Sequence, residues 1–482
     1  MANLRKSRFI FGLKMAELIF LLFVSSTLAI VITFFLEDGL WSWLGLMFAF
    51  FCLGHLCATV GRFVALPELM CLIATVNWVV APWLSYRFPS SIFLSNMHVP
   101  KETYLPFAVS ATICLWLGVH LPLRFKNEPG VEMFTGRLSI RDQRSMDFLI
   151  VFGTLISLAW TGSLGGLDFL YSVLSKLRFV GALSFMYTQT PGWKLRIAFV
   201  YGFLFCQVAS GGLFYEFVLW AGYLFITRAY MKKWKWKFFV YLSLIFILIT
   251  TLNSAKVEYR YYLENEQEAT VFSKLSTLVQ LIISPELREK DISLYQDATE
   301  RIGDKIVRWN QGWIISRVMD TVPEVQPFAR GETIVSTVIA SMVPRILMPQ
   351  KLGSMHVRDI FQKYTDIALP EGTSMGLGVA GEMYANFGVW GGVAGTFCYG
   401  VLIGYLFSRF ARLARKDILW WVWTPFVLLT SIEAEWNLVD VANHITKSAL
   451  VMFICIHLMP AFRGRMIKKK PLSSTPVAAI KS

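Results

Sequence analysis

The residues with chemical potential in this sequence are few, and most lie late in the chain. The stretch "GTSMGLGVAGEMYANFGVWGG" (372–392) sets seven glycines around one acid, Glu382, with no basic neighbour. An acid entering apolar sequence is costly unless it is paired or used. Glu382 therefore reads either as the partner of an arginine or as a general base or substrate ligand. The stretch "EAEWNLVDVANHITKS" (433–448) adds three acids, Glu433, Glu435 and Asp440. On a helix starting near Asn437, the residues Asn437, Asp440, His444 and Lys447 share about one face. That stripe reads as the polar wall of a cavity. Asp440 and His444, one turn apart, have ligand spacing, but no other His or Cys pairs with them, so no metal is expected.

Two basic motifs complement the acids. Lys256 and Arg260 in "SAKVEYRYY" (254–262) share a helical face. They serve either as snorkelling side chains or as a clamp for a phosphate group. In "VPRILMPQK" (343–351), prolines break any helix around Arg345 and Lys351. Arg330, Arg358 and Lys363 lie nearby in sequence. These cations either pair with loop acids or bind a diphosphate. The letters "GLGVAG" match a dinucleotide fingerprint, but no strand precedes them. GxxxxGK[ST], HExxH and GxSxG are absent. Gly388, Gly391, Gly392, Gly395, Gly400 and Gly404 have the small-residue spacing of close helix pairs. His55, His120 and His457 read as packed or interfacial, while Glu17, Glu68 and Glu216 have no evident place.

The elements that must position these residues are membrane helices. Of 482 residues, 55% are hydrophobic and 16% charged, against about 25% charged in soluble proteins. The mean hydropathy is +0.52. Apolar spans fall near 15–36, 40–60, 66–86, 104–123, 146–163, 238–253, 387–407, 418–434 and 444–462. The first is longer than a signal-peptide core, so it reads as an uncleaved span. The net charge of +14 fits basic cytoplasmic loops; no basic run is long or regular enough for nucleic acid. Those loops are Arg124–Arg144, "MKKWKWK" (231–237), "RFARLARK" (409–416) and the tail "RGRMIKKK" (463–470). They place both termini in the cytoplasm.

Residues 165–230 need an odd number of crossings, and the amphipathic segment 167–190 is the ambiguous one. The expected fold is all-α, a polytopic membrane bundle of about 12 spans, alternatively 10, with one large external loop. Its divisions are an N-terminal bundle (1–253), the loop (254–386), C-terminal helices (387–462) and a basic tail (463–482). "TVFSKLSTLVQLIISPEL" and "GETIVSTVIASMVPRILMP" read as helices within the loop, and a loop of this length is usually functional. All seven cysteines lie in apolar segments and form no spaced framework.

The order of the basic exit motif, "RWNQGWIISRVMDTVPEVQPFARGET", "VPRILMPQK", the glycine-rich stretch and a C-terminal hairpin resembles the bacterial oligosaccharide repeat-unit polymerases, the Wzy-type O-antigen polymerases. The similarity is best over 300–407. The "SGG" turn at 210–212 lacks an Arg that similar proteins often carry. The resemblance implies a GT-C-like glycosyltransferase of the bacterial inner membrane. Its substrate would be an undecaprenyl-diphosphate-linked oligosaccharide, polymerised into O-antigen, capsule or exopolysaccharide on the periplasmic face. It implies no cofactor, and a chain-length regulator and a flippase as partners besides the lipid bilayer. Glu382, with Asp440 and His444 in reserve, would be the base. Lys256, Arg260, Arg345, Lys351 and Arg330 would hold the diphosphate. A ligase of the same fold, a transporter or flippase, and an assembly scaffold are the competing readings.

Overall fold

A long apolar stretch offers its backbone no polar partner but itself, so it folds as a helix. The computed structural model describes residues 13–124, 134, 136–159, 168–211, 215–234, 237–238, 240–244, 259, 262, 271–283, 298–342, 354–370, 375–433 and 436–463. The elements there are helical, and the one β contact among the described residues is an isolated bridge between Val60 and Phe63. The chain begins with α1 (Met15–Phe35), α2 (Leu40–Thr59), α3 (Leu66–Ser85) and α4 (Lys101–His120). It continues with α5 (Ile140–Ala159), α6 (Asp168–Ser175), α7 (Leu177–Tyr187), α8 (Trp193–Gly211) and α9 (Tyr215–Met231). The polar region contributes α10 (Val271–Ile283), α11 (Ala298–Val307), α12 (Gly312–Thr321), α13 (Glu332–Met342) and α14 (Ser354–Thr365). The chain then forms α15 (Gly378–Ala414), α16 (Leu419–Ile432) and α17 (Leu438–Leu458).

Among the described residues, six helices are long and apolar enough to cross a bilayer: α1 to α4, α15 and α17. The chain is thus an all-α, multi-pass membrane-type bundle. The expected span at 146–163 corresponds to α5, whose first turns carry Arg141, Asp142, Arg144 and Asp147. The span at 418–434 is the shorter α16. Most of 238–253 lies outside the described residues. The two loop stretches read as helical contain α10 and α13, while 284–287 and 343–349 lie outside the described residues.

Contacts between turns define two ends of the bundle. At one end, Asp38 between α1 and α2 accepts bonds from Trp83 Nε1 (2.8 Å), Arg87 Nη2 (2.9 Å) and the Lys101 ammonium. The α3–α4 connection there also holds the polar region. Asp304 accepts from the Ser90 hydroxyl at 2.6 Å, and the Ser316 hydroxyl accepts from the His98 backbone at 2.6 Å. At the other end, Arg62 after α2 donates to Glu17 at 2.9 Å. Gly61 approaches the Trp234 carbonyl so closely that a Cβ would lie 2.3 Å from it. Phe134 packs on Tyr187 and Tyr230, with ring centroids 5.1 and 5.8 Å apart. In the ambiguous segment 167–190 the chain forms α6 and α7, and the Tyr187 end of α7 lies at the Phe134 end.

Backbone-to-backbone packing joins the N-terminal and C-terminal halves. A Cβ on Gly118 of α4 would lie 2.4 Å from the Phe397 carbonyl, and one on Gly404 of α15 would lie 2.1 Å from the Val119 carbonyl. The small residues let α4 and α15 touch along their main chains, as the spacing of Gly400 and Gly404 predicts.

Candidate functional site

Glu382 lies on the first arm of α15, not on a flexible loop. The helix begins at Gly378, and Gly388 breaks it with φ 68° and ψ −159°. That conformation is open to glycine and strained for other residues. Beyond Gly388 the chain doubles back. Gly392 faces the Tyr384 backbone and Gly395 faces the Met383 side chain, although 12 helical residues would span about 18 Å if straight. Residues 378–387 thus form a short helix folded against the longer arm. Its end needs acceptors and donors satisfied, and the segment before α13 supplies them. Ala329 N–H donates to the Ala385 carbonyl at 2.9 Å, and Arg330 N–H donates to the Asn386 carbonyl at 3.1 Å. Asn386 Nδ2 donates to the Thr333 hydroxyl at 2.6 Å, and its Oδ1 accepts from Gly331 N–H at 2.9 Å.

This scaffold buries Glu382, at 4% exposure, against the start of α17. Its Oε2 accepts from the Leu438 backbone N–H at 3.2 Å, and the Thr333 hydroxyl bonds the same carboxyl. A helix N-terminus favours a negative group, so the start of α17 suits this carboxylate. Asn437 closes the junction: its Oδ1 accepts from Gly378 N–H at 3.2 Å, and its Nδ2 donates to Asp440 Oδ2 at 3.1 Å. Asp440 is close enough for its charge to act on Glu382. Lys447, two turns on, acts on Asp440. The polar stripe foreseen on α17 is therefore present and meets Glu382 at its head.

His444 sits deeper, 5% exposed, with Nε2–H donating to the Phe426 carbonyl of α16 at 3.0 Å. That bond commits one ring nitrogen to the scaffold. Lys176, between α6 and α7, is near enough to act on His444. Of the basic candidates, Arg330 is exposed and holds φ 50° at the head of the loop that caps the Glu382 arm. Lys256, Arg260, Arg345 and Lys351 lie outside the described residues.

One residue that the sequence reading passed over stands beside this tract. Arg178 of α7 is 2% exposed. Its Nη2 donates to Gln207 Oε1 at 3.1 Å, where the Ser157 hydroxyl also donates at 3.0 Å. The rings of Phe179 and Phe203 flank the guanidinium at 5.2 and 5.1 Å. Its Nε and Nη1 have no hydrogen-bond partner among the described residues. The guanidinium lines a polar pocket of about 40 Å³ with Ser157, Ser172, Ser175, Gln207 and Glu216. Buried guanidinium N–H groups left unpaired are expensive, and Glu216, whose charge acts on Arg178, brings a carboxylate to the same pocket. The available signal was an Arg inside the otherwise apolar run "LRFVGALSFMY". α6 packs against α17, which sets this pocket beside the α17 stripe.

The unplaced acids also find positions. Glu17 pairs with Arg62 at 2.9 Å, and Glu216 faces Lys176 at 4.0 Å. Glu68 meets His55 and His120, the two histidines read as packed. Comparison with known protein families, with curated proteins and with solved structures finds no match for this chain.

Proposed function

We propose that this protein is an integral membrane glycosyltransferase. It polymerises undecaprenyl-diphosphate-linked oligosaccharide repeat units into a surface polysaccharide at the periplasmic face of a bacterial inner membrane. The observation that carries the reading is the presence of two unlike sites on elements that both contact α17. One is a buried carboxylate, Glu382, held by neutral donors. The other is a buried guanidinium, Arg178, in the lining of a polar pocket, with two nitrogens that have no hydrogen-bond partner among the described residues. Glycosyl transfer from a lipid diphosphate needs both: a base for the attacking hydroxyl and a cation for the leaving group.

In this mechanism the acceptor sugar hydroxyl attacks the anomeric carbon of the donor. The bond from that carbon to the diphosphate oxygen breaks as the new glycosidic bond forms. Glu382 takes the hydroxyl proton. Arg178 stabilises the charge that develops on the departing diphosphate, assisted by Lys256, Arg260, Arg345, Lys351 and Arg330 from the polar region. Asp440 and His444 lie farther along α17 from the Glu382 contact and are the reserve bases.

Glu382→Gln keeps the size of the side chain and removes its basicity. Purified protein in proteoliposomes, given a lipid-linked repeat unit, should lose polymer formation by about a hundredfold or more. Melting behaviour and yield should match the wild type. Wild-type rates in Glu382→Gln remove Glu382 as the base.

A further inference from the structure

Three buried ionisable side chains converge away from the site described above. His55 lies near the end of α2, Glu68 near the start of α3 and His120 at the end of α4, all at the end of the bundle opposite Asp38. They are 1%, 2% and 0% exposed. One ligand atom from each lies within 4.8 Å of the other two. Glu68 Oε1 stands 4.0 Å from His55 Nε2 and 3.8 Å from His120 Nε2. These separations exceed hydrogen-bond lengths, and they leave room for one small atom between the three groups.

We propose that His55, Glu68 and His120 form a binding site for a first-row divalent transition metal of the zinc class. Two imidazoles and a carboxylate select such a cation over magnesium or calcium, which take all-oxygen shells. Metal–ligand bonds of about 2.0–2.2 Å set tetrahedral ligand atoms about 3.3–3.5 Å apart. Each edge at Glu68 therefore closes by only about half an ångström on loading, relative to the printed separations. Three protein ligands leave the fourth position to a small exogenous ligand. In sequence, His55 and His120 are 65 residues apart and Glu68 lies between them, so no spacing motif announces the site.

Trp116 sets the tautomers of both histidines. His120 Nδ1–H donates to the Trp116 carbonyl at 2.8 Å. A neutral His120 so bonded turns its Nε2 lone pair toward Glu68, as a ligand must. The Trp116 indole N–H donates to His55 Nδ1 at 3.2 Å. A neutral His55 therefore carries its proton on Nε2 in the empty site. Loading exchanges that proton for the cation: Nε2 loses a proton, Nδ1 gains one, and the Trp116 indole releases the ring. Metal uptake is thus coupled to breaking one identified hydrogen bond. Without a metal, the same three groups can share a single proton, and the test separates the two cases.

The full-length protein is produced in medium supplemented with cobalt(II) or zinc(II), purified in detergent, and its metal counted. The expected result is one metal per chain, with the visible bands of four-coordinate cobalt. Glu68→Gln and His120→Gln should weaken retention against a chelator by more than the about 10–100-fold that losing an outer-shell partner costs. Trp116→Phe keeps every ligand and removes the bond that holds His55 in the other tautomer. It should retain metal about fivefold more tightly, the scale of one net hydrogen bond. A wild-type protein without stoichiometric metal overturns the proposal, as does metal that survives Glu68→Gln. Weaker retention in Trp116→Phe overturns ligation through His55 Nε2. The wild-type and Trp116→Phe measurements stay decisive even where a ligand variant fails to fold. Polymer synthesis is not a readout, so the outcome is independent of the proposed reaction.

Discussion

The Arg178 guanidinium places one N–H on Gln207, while Nε and Nη1 have no hydrogen-bond partner among the described residues. Arg178→Gln should reduce polymer formation by about a hundredfold or more if those groups meet a developing charge. Arg178→Lys should retain part of the rate, because a point charge replaces a fork. A purely structural arginine would instead lower yield and melting temperature with kcat intact, which steady-state kinetics with a lipid-linked donor can distinguish. Asp38 makes a different residue-level prediction. Burial pushes its carboxyl up, but bonds from Lys101, Arg87 and Trp83 outweigh that and hold it below its ordinary value. A depressed carboxyl contributes stability above its unfolded pKa, about 3.9. It loses that contribution as pH falls through the lower folded value. Thermal unfolding followed from near-neutral pH down to about pH 3 should show Asp38→Asn less stable than the wild type at the upper end. The gap should narrow below about pH 3.9. A gap that stays constant through this window would show that the ion pairs are not the cause.

At the scale of elements, two glycine devices shape the site. Gly388 turns α15 back on itself and presents Glu382 to the start of α17. Gly118 and Gly404 let α4 lie directly against the longer arm. Gly404→Ala would put a Cβ 2.1 Å from the Val119 carbonyl and should destabilise the protein by about 1–3 kcal/mol. Gly202→Ala on α8 meets nothing within 4 Å. It should be neutral or slightly stabilising, since alanine favours helix by about 1 kcal/mol. Equal melting shifts in the two variants would contradict a backbone contact between α4 and α15. The small-residue spacing made the close approach readable beforehand. The reversal at Gly388 was not readable, because one glycine among seven in that stretch is singled out only by its backbone conformation.

For the whole molecule, the paired turns set two opposite ends, and the expectation that basic loops are cytoplasmic predicts which end is external. Ser91 lies at the Asp38 end and Lys233 at the Gly61 end. In intact spheroplasts, Ser91→Cys should react with a membrane-impermeant maleimide, and Lys233→Cys should react only after permeabilisation. The native cysteines give the background in the parent protein. Reaction of both from one side would refute the antiparallel arrangement.

Apolar composition, the run lengths of α1 to α4 and the polar stripe of α17 were determined by the sequence alone. A bilayer-length apolar segment can satisfy its backbone only as a helix, and helical periodicity then sets which residues share a face. Proximity between distant segments was decided by the tertiary structure. It placed Asn437 and Leu438 against the Glu382 arm, opened the pocket before Arg178, and gathered His55, Glu68 and His120 from three helices. No local pattern encodes such meetings, because each depends on how helices cross and where the chain turns, and burial there gives an ordinary Arg, Glu or His its chemistry.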